Sequence, residues 1–308
     1  MPVRIITRPD FDGIVCAVLL KAVLGDPTPV LWAQPNQIQS GALTTESADV
    51  VANLPLAGAC KLWFDHHISN RTDLPFEGRF RIAPSAARLV FEHFEDRLGG
   101  RFEDLVGQAD KIDAAQLDRD EIEHPERYPY LLVSMAISIR DPSNLSFCDH
   151  LVNLFGTASI DAVMADEWVR RRCEQVMTAN RLYEAALKSH TRLLQLVSLT
   201  DFRGIDPAPD GNRFLVYSLF PEARVNVKIY NEPPYSVIKL GHSIINRTCR
   251  VNAGGLLARY GGGGHRGAGA CRLTPGQADR VLGEILEILQ RNTPLEGDCP
   301  LAGSGGQA

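Results

Sequence analysis

Two short acidic motifs, each set directly behind a β-branched or apolar run, constrain this chain more than any other feature. Asp10-Phe11-Asp12-Gly13 follows the run Val3 to Thr7, and Asp65-His66-His67 follows the run Cys60 to Phe64. Both runs read as short buried strands. In an open parallel sheet the carboxyl ends of the strands form the crevice where ligands bind, so two strands direct carboxylates and imidazoles at one sheet edge. An isolated Asp-x-Asp is also an ordinary turn with a helix cap, and an isolated Asp-His-His arises by chance. It is their common position after strands that gives the pair weight.

The intervening segments fit such a sheet. Gly13 to Leu24 reads as an amphipathic helix and Pro29 to Ala33 as the next strand, which makes a βαβ opening, and helical periodicity returns at Ser85 to Arg97 and Phe102 to Asp118. The expected fold class is α/β: a mostly parallel-sheet N-terminal domain with helices on both faces, plus a smaller α/β C-terminal domain that binds substrate. A length of 308 residues favours two domains. A long Arg- and Glu-rich helix runs from Ile160 to about Leu187, and short strands follow at Leu193 to Leu199, Phe214 to Leu219, Arg224 to Tyr230 and Ser236 to Leu240. The boundary is therefore placed near Ser189, giving domains over 1–188 and 189–291 and a disordered tail over 292–308. Thr274-Pro275-Gly276-Gln277 marks the start of a last helix running to Leu289.

Charge narrows the function. A formal net charge of −5 argues against a sequence-independent duplex binder, because such binding works by neutralising many phosphates. Yet between Ala223 and Leu273 stand Arg224, Lys228, Lys239, Arg247, Arg250, Arg259, Arg266 and Arg272 against one acid, Glu232. That stretch attracts an anion, the plain alternative being a solvated basic face. Within it, Gly261 to Gly264 followed by His265-Arg266-Gly267 reads as a loop whose backbone N–H groups approach phosphate; the alternative is a flexible linker. Seven cysteines without a CxxC pair fit buried thiols in a reducing compartment. The apolar run Ile14 to Leu24 is interrupted by Lys21 and is too short for a membrane span, so a cytoplasmic protein without membrane attachment is expected. His93, His124, His150 and His190 lie outside the motifs and read as surface or structural residues, and the isolated Trp32, Trp63 and Trp168 read as packing residues rather than base-stacking platforms; His242 and Arg247 fall in the basic stretch and are candidates for substrate contact.

Crowded carboxylates repel one another and partly protonate unless cations neutralise them. Mixed Asp and His ligands without Cys suit Mn²⁺, with Mg²⁺ or Co²⁺ as alternatives. Two such ions about 3.5–4 Å apart activate a water for phosphate-ester hydrolysis.

Five segments in order carry a family resemblance covering about residues 3 to 290. ITRPDFDGIVCA, DVVANLP, WFDHH, ADKIDAAQL and YGGGGHRGAG resemble the motifs of the DHH phosphoesterase superfamily, in the subfamily with the DHH-associated C-terminal domain. The resemblance implies that Asp10 and Asp12 each bind one of two Mn²⁺ ions, that Asp49 bridges them, and that His66 and Asp113 complete the second site, with Asp113 preferred to Asp110. Asn53 looks like a further part of the second motif. Asp12, Asp65 and His67 are the expected catalytic residues, His67 facing the substrate and Asp65 orienting the imidazoles. Gly262, Gly263, Gly264, His265, Arg266, Arg247 and Arg8 are expected to bind substrate together with His67. One departure stands out. Many relatives place a metal-binding histidine just before the first aspartate, where this chain has Ile6 and Arg8, leaving the first ion weaker, completed by waters, or replaced in effect by the Arg8 charge.

The function expected first is hydrolysis of short oligonucleotides or related nucleotides, similar to the nanoRNase/pAp-phosphatase branch. An exopolyphosphatase- or pyrophosphatase-like hydrolase is the second expectation, and a nucleotide-binding sensor without catalysis the third. The expected partners are a short single-stranded nucleic acid or nucleotide substrate and, for assembly, a second copy of the chain.

Overall fold

The computed structural model describes residues 3–56, 58–137 and 143–294, so the expected tail lies mostly outside the described residues, as does Cys299. The chain divides into two compact units. One comprises residues up to Leu117 with His124–Val176; the other comprises Asp118–Glu123 and the residues from Met177 onward.

The first unit is built on a five-stranded sheet: β1 (Ile5–Thr7), β2 (Val30–Trp32), β3 (Val50–Ala52), β4 (Leu62–Asp65) and β5 (Gly78–Phe80), in the order β2-β1-β3-β4-β5. Every neighbouring pair is parallel, as the alternating pattern requires. Helix α1 (Phe11–Leu24) is buried on nearly every side rather than amphipathic, because Ile14 through Leu20 are all apolar and all buried. Its neighbours include α3 (Ala86–His93), α5 (Glu103–Asp113) and α8 (Asn144–Thr157). The side chains of a strand alternate between faces. Phe64 meets His93 of α3 at 5.1 Å. Ile6, Val51 and Trp63 instead pack with Ala33, Ile38 and Leu54, a face covered by the short α2 (Pro35–Gln39) and its flanking loops. Trp63 ties this face together: its indole N–H donates to the Leu54 carbonyl at 2.8 Å and its ring stacks on Phe80 at 5.2 Å.

Two helices expected to be continuous are broken. The first becomes α3 and α4 (Glu95–Leu98), separated at Phe94. The second becomes α9 (Ile160–Ala165) and α10 (Glu167–His190), separated at Asp166, whose carboxylate caps α10 by accepting from the Val169 N–H at 3.0 Å. The division between units falls inside α10, not near Ser189. Val169 and Cys173 are buried in the first unit, where Trp168 lies against Phe147, whereas Tyr183 packs on Phe202 and takes the Lys228 ammonium at 2.6 Å in the second. The segment α6 (Arg119–Glu123) also belongs to the second unit, where the Asn212 amide donates to the Ile122 carbonyl at 3.1 Å.

The second unit carries a six-stranded sheet: β6 (Thr191–Leu194), β7 (Val197–Asp201), β8 (Val225–Glu232), β9 (Tyr235–His242), β10 (Gly263–His265) and β11 (Ala268–Leu273), in the order β10-β11-β9-β8-β7-β6. Only β7 and β8 pair in parallel, and a parallel pair needs a crossover. Phe214 to Leu219, expected as a strand, lies in that connection and forms the helix α11 (Leu215–Leu219). A short apolar run does not by itself distinguish strand from helix. The core lies between one sheet face, including Val197, Leu199, Val227, Ile229, Ile238 and Leu240, and the helices α12 (Ala253–Ala258) and α13 (Pro275–Arg291), the latter starting at Pro275 as its sequence signal indicated.

The glycine run is a strand start rather than an open loop. The N–H groups of Gly261 and Gly262 donate to Ala258 and Leu257 carbonyls at the end of α12, and Gly263 and Gly264 enter β10 opposite Ala270 and Gly269. A Cβ on Gly254 would lie 2.3 Å from the Gly264 carbonyl oxygen, so α12 and β10 touch backbone to backbone. Gly254→Ala should therefore cost about 1–3 kcal/mol. Gly283→Ala, in α13 with open space around it, should instead stabilise by about 0.5–1 kcal/mol. Urea denaturation of the two variants checks the contrast; equal effects would contradict the close helix–strand approach.

Candidate metal centre

The chain leaves β1 at Thr7 and turns through Arg8-Pro9 into α1, whose N-cap is Asp10, with its Oδ1 accepting from the Gly13 N–H at 2.9 Å. A Cβ on Gly13 would sit 1.9 Å from the Arg8 carbonyl oxygen, so only glycine lets the first turn lie this close to the strand end. Asp12, in that turn, is buried. Its Oδ2 accepts from the Ala86 N–H at 2.9 Å and its Oδ1 from the Ala87 N–H at 2.8 Å. These are the first N–H groups of α3, the positive end of that helix. They do not offset the cost of the site: burial, with the charges of Asp113 and Asp10 added, holds the Asp12 carboxyl well above the usual carboxylate range. Burial raises Asp10 as well, against the opposing charge of Arg8.

Strand β4 ends in Asp65, and His66 and His67 follow. The His66 Nδ1 lies 3.0 Å from the Ala83 carbonyl oxygen, an atom that can only accept, so Nδ1 carries the proton and Nε2 presents a lone pair. Nε2 is buried without a hydrogen-bond partner, 3.8 Å from Asp12 Oδ2 and 3.4 Å from Asp113 Oδ2. Asp113 closes α5. Asp110, one turn earlier, is held by the Ser85 hydroxyl at 2.6 Å and the Arg88 Nε at 2.8 Å, which leaves Asp113 as the α5 carboxylate at the imidazole. Asp12, His66 and Asp113 offer three ligand atoms within 4.8 Å of one another. Asp65, His66 and His67 form a second compact group, but the Asp65 oxygens are already engaged. Oδ1 accepts from the His66 and His67 N–H groups at 2.8 and 3.3 Å and pairs with His67 Nδ1 at 2.8 Å; Oδ2 accepts from the Asn70 amide at 2.6 Å. Asp65 thus orients His67 and fixes the backbone of both histidines.

Asp49, expected as the bridging ligand, is not brought to this cluster. It precedes β3, at the amino edge of the sheet, where Arg4 grips it through two hydrogen bonds at 2.8 and 2.7 Å and the Glu46 N–H adds a third at 2.7 Å. The residue that β3 delivers to the carboxyl edge is Asn53. It adopts a left-handed φ of 57° and donates its amide to Asp10 Oδ1 at 2.9 Å, while its own Oδ1 is buried without a partner. Arg8 pairs with Asp10 Oδ2 at 3.1 Å.

In the second unit the expected substrate-binding residues gather around the β10–β11 turn and the segment before α12. The His242 Nε2 lies 2.9 Å from the Val251 carbonyl oxygen, and its backbone N–H donates to Gly267 at the turn. The Arg266 guanidinium reaches the Arg250 carbonyl at 3.4 Å, Arg247 folds back on Ile244 at 3.0 Å, and His265 ends β10 exposed. Gly262 has no amide to give an anion, because its N–H is used at the end of α12. Gly263 and Gly264 serve the hairpin and the contact with Gly254.

A parallel sheet with an Asp-x-Asp and an Asp-His-His at its carboxyl edge, followed by a mixed-sheet unit, has the fold of the DHH phosphoesterase superfamily. The resemblance seen in the motifs is borne out by solved structures. The chain is similar to a pGpG-specific phosphodiesterase, PggH from Vibrio cholerae, at 29% identity and a TM-score of 0.80, over 94% of this chain and 100% of that one. An exopolyphosphatase-related protein from Bacteroides fragilis shares 12% identity with a TM-score of 0.57, over 94% and 93% of the two chains. RecJ from Thermus thermophilus, solved with Mn²⁺, shares 13% identity with a TM-score of 0.59, over 94% of this chain and 52% of RecJ. No protein-family model and no curated protein matches the sequence. No helix among the described residues is long and apolar enough to cross a membrane.

The two aspartates of the second motif region separate by experiment. Asp49→Ala removes the main partner of Arg4, which is partly exposed and keeps Glu46 at 3.3 Å, so it should cost about 1–3 kcal/mol, the range for losing hydrogen bonds to a charged group, while leaving the cluster around Asp12 intact. Denaturant unfolding of this variant, compared with its Mn²⁺ affinity by calorimetry, checks both halves. Loss of the ion without loss of stability would restore Asp49 as a ligand.

Proposed function

We propose that this chain is a divalent-metal-dependent phosphoesterase that hydrolyses short oligonucleotides or related nucleotide phosphoesters. The observation that carries this reading is the buried, partnerless Nε2 of His66 set between the carboxylates of Asp12 and Asp113. A neutral imidazole lone pair facing two carboxylates is unfavourable by itself, and a divalent cation relieves it. The donors fit Mn²⁺ or Mg²⁺ better than a structural zinc, since no cysteine ligates. Asp12, His66 and Asp113 would hold the ion, which when bound polarises a phosphoryl oxygen and acidifies water.

The remaining groups have roles that follow from their contacts. Asp65 holds His67 through Nδ1, turning the opposite ring nitrogen away from the carboxylate, in position to bind the phosphoryl group or hand a proton to the leaving oxygen. Arg8, about two-fifths exposed, places a fixed positive charge beside Asp10. The basic residues of the second unit, Arg247 and Arg266 with His265, would bind the anionic substrate. A dinucleotide is favoured because the 29%-identical structure, aligned over its whole length, is named a pGpG-specific phosphodiesterase. Behind the polyphosphate alternative stands only the fold of a 12%-identical neighbour.

Two measurements test the reading. Burial and neighbouring charge raise the folded-state carboxyl of Asp12 above its ordinary value of 3.8, so its ionisation opposes folding. That contribution to stability is present below the ordinary value and is lost as pH rises through the raised one. A divalent ion competes with the proton for this carboxylate, so the Mn²⁺-induced rise in melting temperature should grow with pH across that window. A rise independent of pH would count against Asp12 as a ligand. Second, the chain with Mn²⁺ should cleave pGpG or another dinucleotide, and Asp12→Ala or His66→Ala should lower kcat by about two orders of magnitude or more. A panel of mono-, di- and trinucleotides giving no turnover would overturn the proposal, and faster phosphate release from polyphosphate would favour the alternative.

A further inference from the structure

We infer that the centre is built for one divalent ion, held by Asp12, His66 and Asp113, and that Arg8 and Asn53 occupy at Asp10 the place a second ion would take. The inference deepens the proposed function and rests on it only in requiring that an ion binds.

Both oxygens of Asp10 are already engaged by the protein, in three of the roughly four acceptor positions a carboxylate offers. Its Oδ1 accepts from the Gly13 N–H and the Asn53 amide, both at 2.9 Å, and its Oδ2 faces the Arg8 Nε at 3.1 Å. Each donor is fixed by something other than Asp10. Gly13 is the first turn of α1, Asn53 stands at the end of β3 in a left-handed conformation that asparagine tolerates, and Arg8 lies in the two-residue turn out of β1. Asp10 accordingly belongs to neither compact ligand group of the first unit, whereas the lone pair of His66 Nε2 has no competing donor.

The charges close in the same way. With Asp12 and Asp113 both ionised and His66 holding its one proton on Nδ1, the set would carry two negative charges, which one divalent ion would balance. Asp10 is balanced by Arg8. A second divalent ion at Asp10 would meet a carboxylate already neutralised and would stand beside a guanidinium, which cannot give up its charge. A carboxylate at the end of β3 would favour such an ion, but that position holds Asn53. Its free Oδ1 is an acceptor without charge, and its nitrogen is already spent on Asp10. Arg8 then does with a fixed cation what a second ion does elsewhere: it neutralises Asp10 and keeps a positive group at the carboxyl edge of the sheet.

Metal stoichiometry tests this without reference to turnover. The full-length chain is loaded with excess Mn²⁺, desalted, and analysed for metal per chain by atomic emission and by electron paramagnetic resonance. One Mn²⁺ per chain with the spectrum of an isolated ion is expected. Asp10→Asn, which preserves the N-cap, should change the Mn²⁺ dissociation constant by less than about tenfold, whereas Asp113→Asn should raise it by more than about a hundredfold. The paired change Arg8→His with Asn53→Asp should bring in a second equivalent and a spin-coupled spectrum. Two equivalents or a coupled spectrum in the unaltered chain would overturn the inference alone, and so would loss of the ion in Asp10→Asn. No bound Mn²⁺ at all would overturn it together with the metal-dependent function, so the two failures are told apart.

Discussion

The Asp12 carboxylate is the interaction on which the first unit turns. It belongs to the first turn of α1, yet both its oxygens accept from the first N–H groups of α3, so one side chain fixes how two helices meet at the carboxyl edge of the sheet. Because α3 is capped by Ser85, and Ser85 also binds Asp110, the same junction fixes α5 and with it Asp113. Burial makes the charged form of Asp12 costly, and the backbone dipoles only partly offset that.

Close backbone approach is the second constraint. Gly13 lets α1 begin against the Arg8 carbonyl, which places Asp10 and Asp12 within a single turn of the end of β1. In the second unit Gly254 and Gly264 do the equivalent for α12 and β10, and that contact carries His265 and Arg266 at a hairpin tip. In both units glycine is spent on bringing a helix against a strand end, and the reactive or charged side chains follow directly in sequence. Precision at the site then comes from backbone geometry, with long flexible side chains kept to the surrounding charge.

Much of this was legible in the sequence because the strongest signals were local. The runs before Asp10 and Asp65 are β1 and β4, α13 begins at Pro275, and the parallel sheet follows from the alternation. What was missed turned on elements too short to read. Val50–Ala52 is a three-residue strand, and without its limits the two polar residues flanking it, Asp49 and Asn53, cannot be assigned to opposite sheet edges. Charge favoured the aspartate; topology places the asparagine at the site and pairs the aspartate with Arg4. Arg4 itself was the available clue, since an arginine ahead of β1 lies level with an aspartate ahead of the neighbouring parallel β3. Leu215–Leu219 misled for a related reason: five apolar-rich residues suit a strand or a helix, and the need for a crossover between β7 and β8 decided it. The four glycines suggested an anion loop because their conformational freedom is visible in sequence, whereas the backbone of Gly254 that they accommodate is not.

A guanidinium in the place of a metal ion would change what such a centre can do. An ion is exchanged with solvent and its affinity follows pH, because its ligands must first lose their protons. Arg8 is always charged, so the cation facing Asp10 does not depend on metal supply. The neighbouring set of Asp12, His66 and Asp113 is the reverse, with a carboxyl whose pKa is raised and an imidazole whose lone pair is unmatched. With an ion bound there as proposed, one sheet edge would hold a permanent cation and a conditional one side by side. The conditional one would gate the chemistry, while Arg8, paired with Asp10, would keep that carboxylate from competing for the ion.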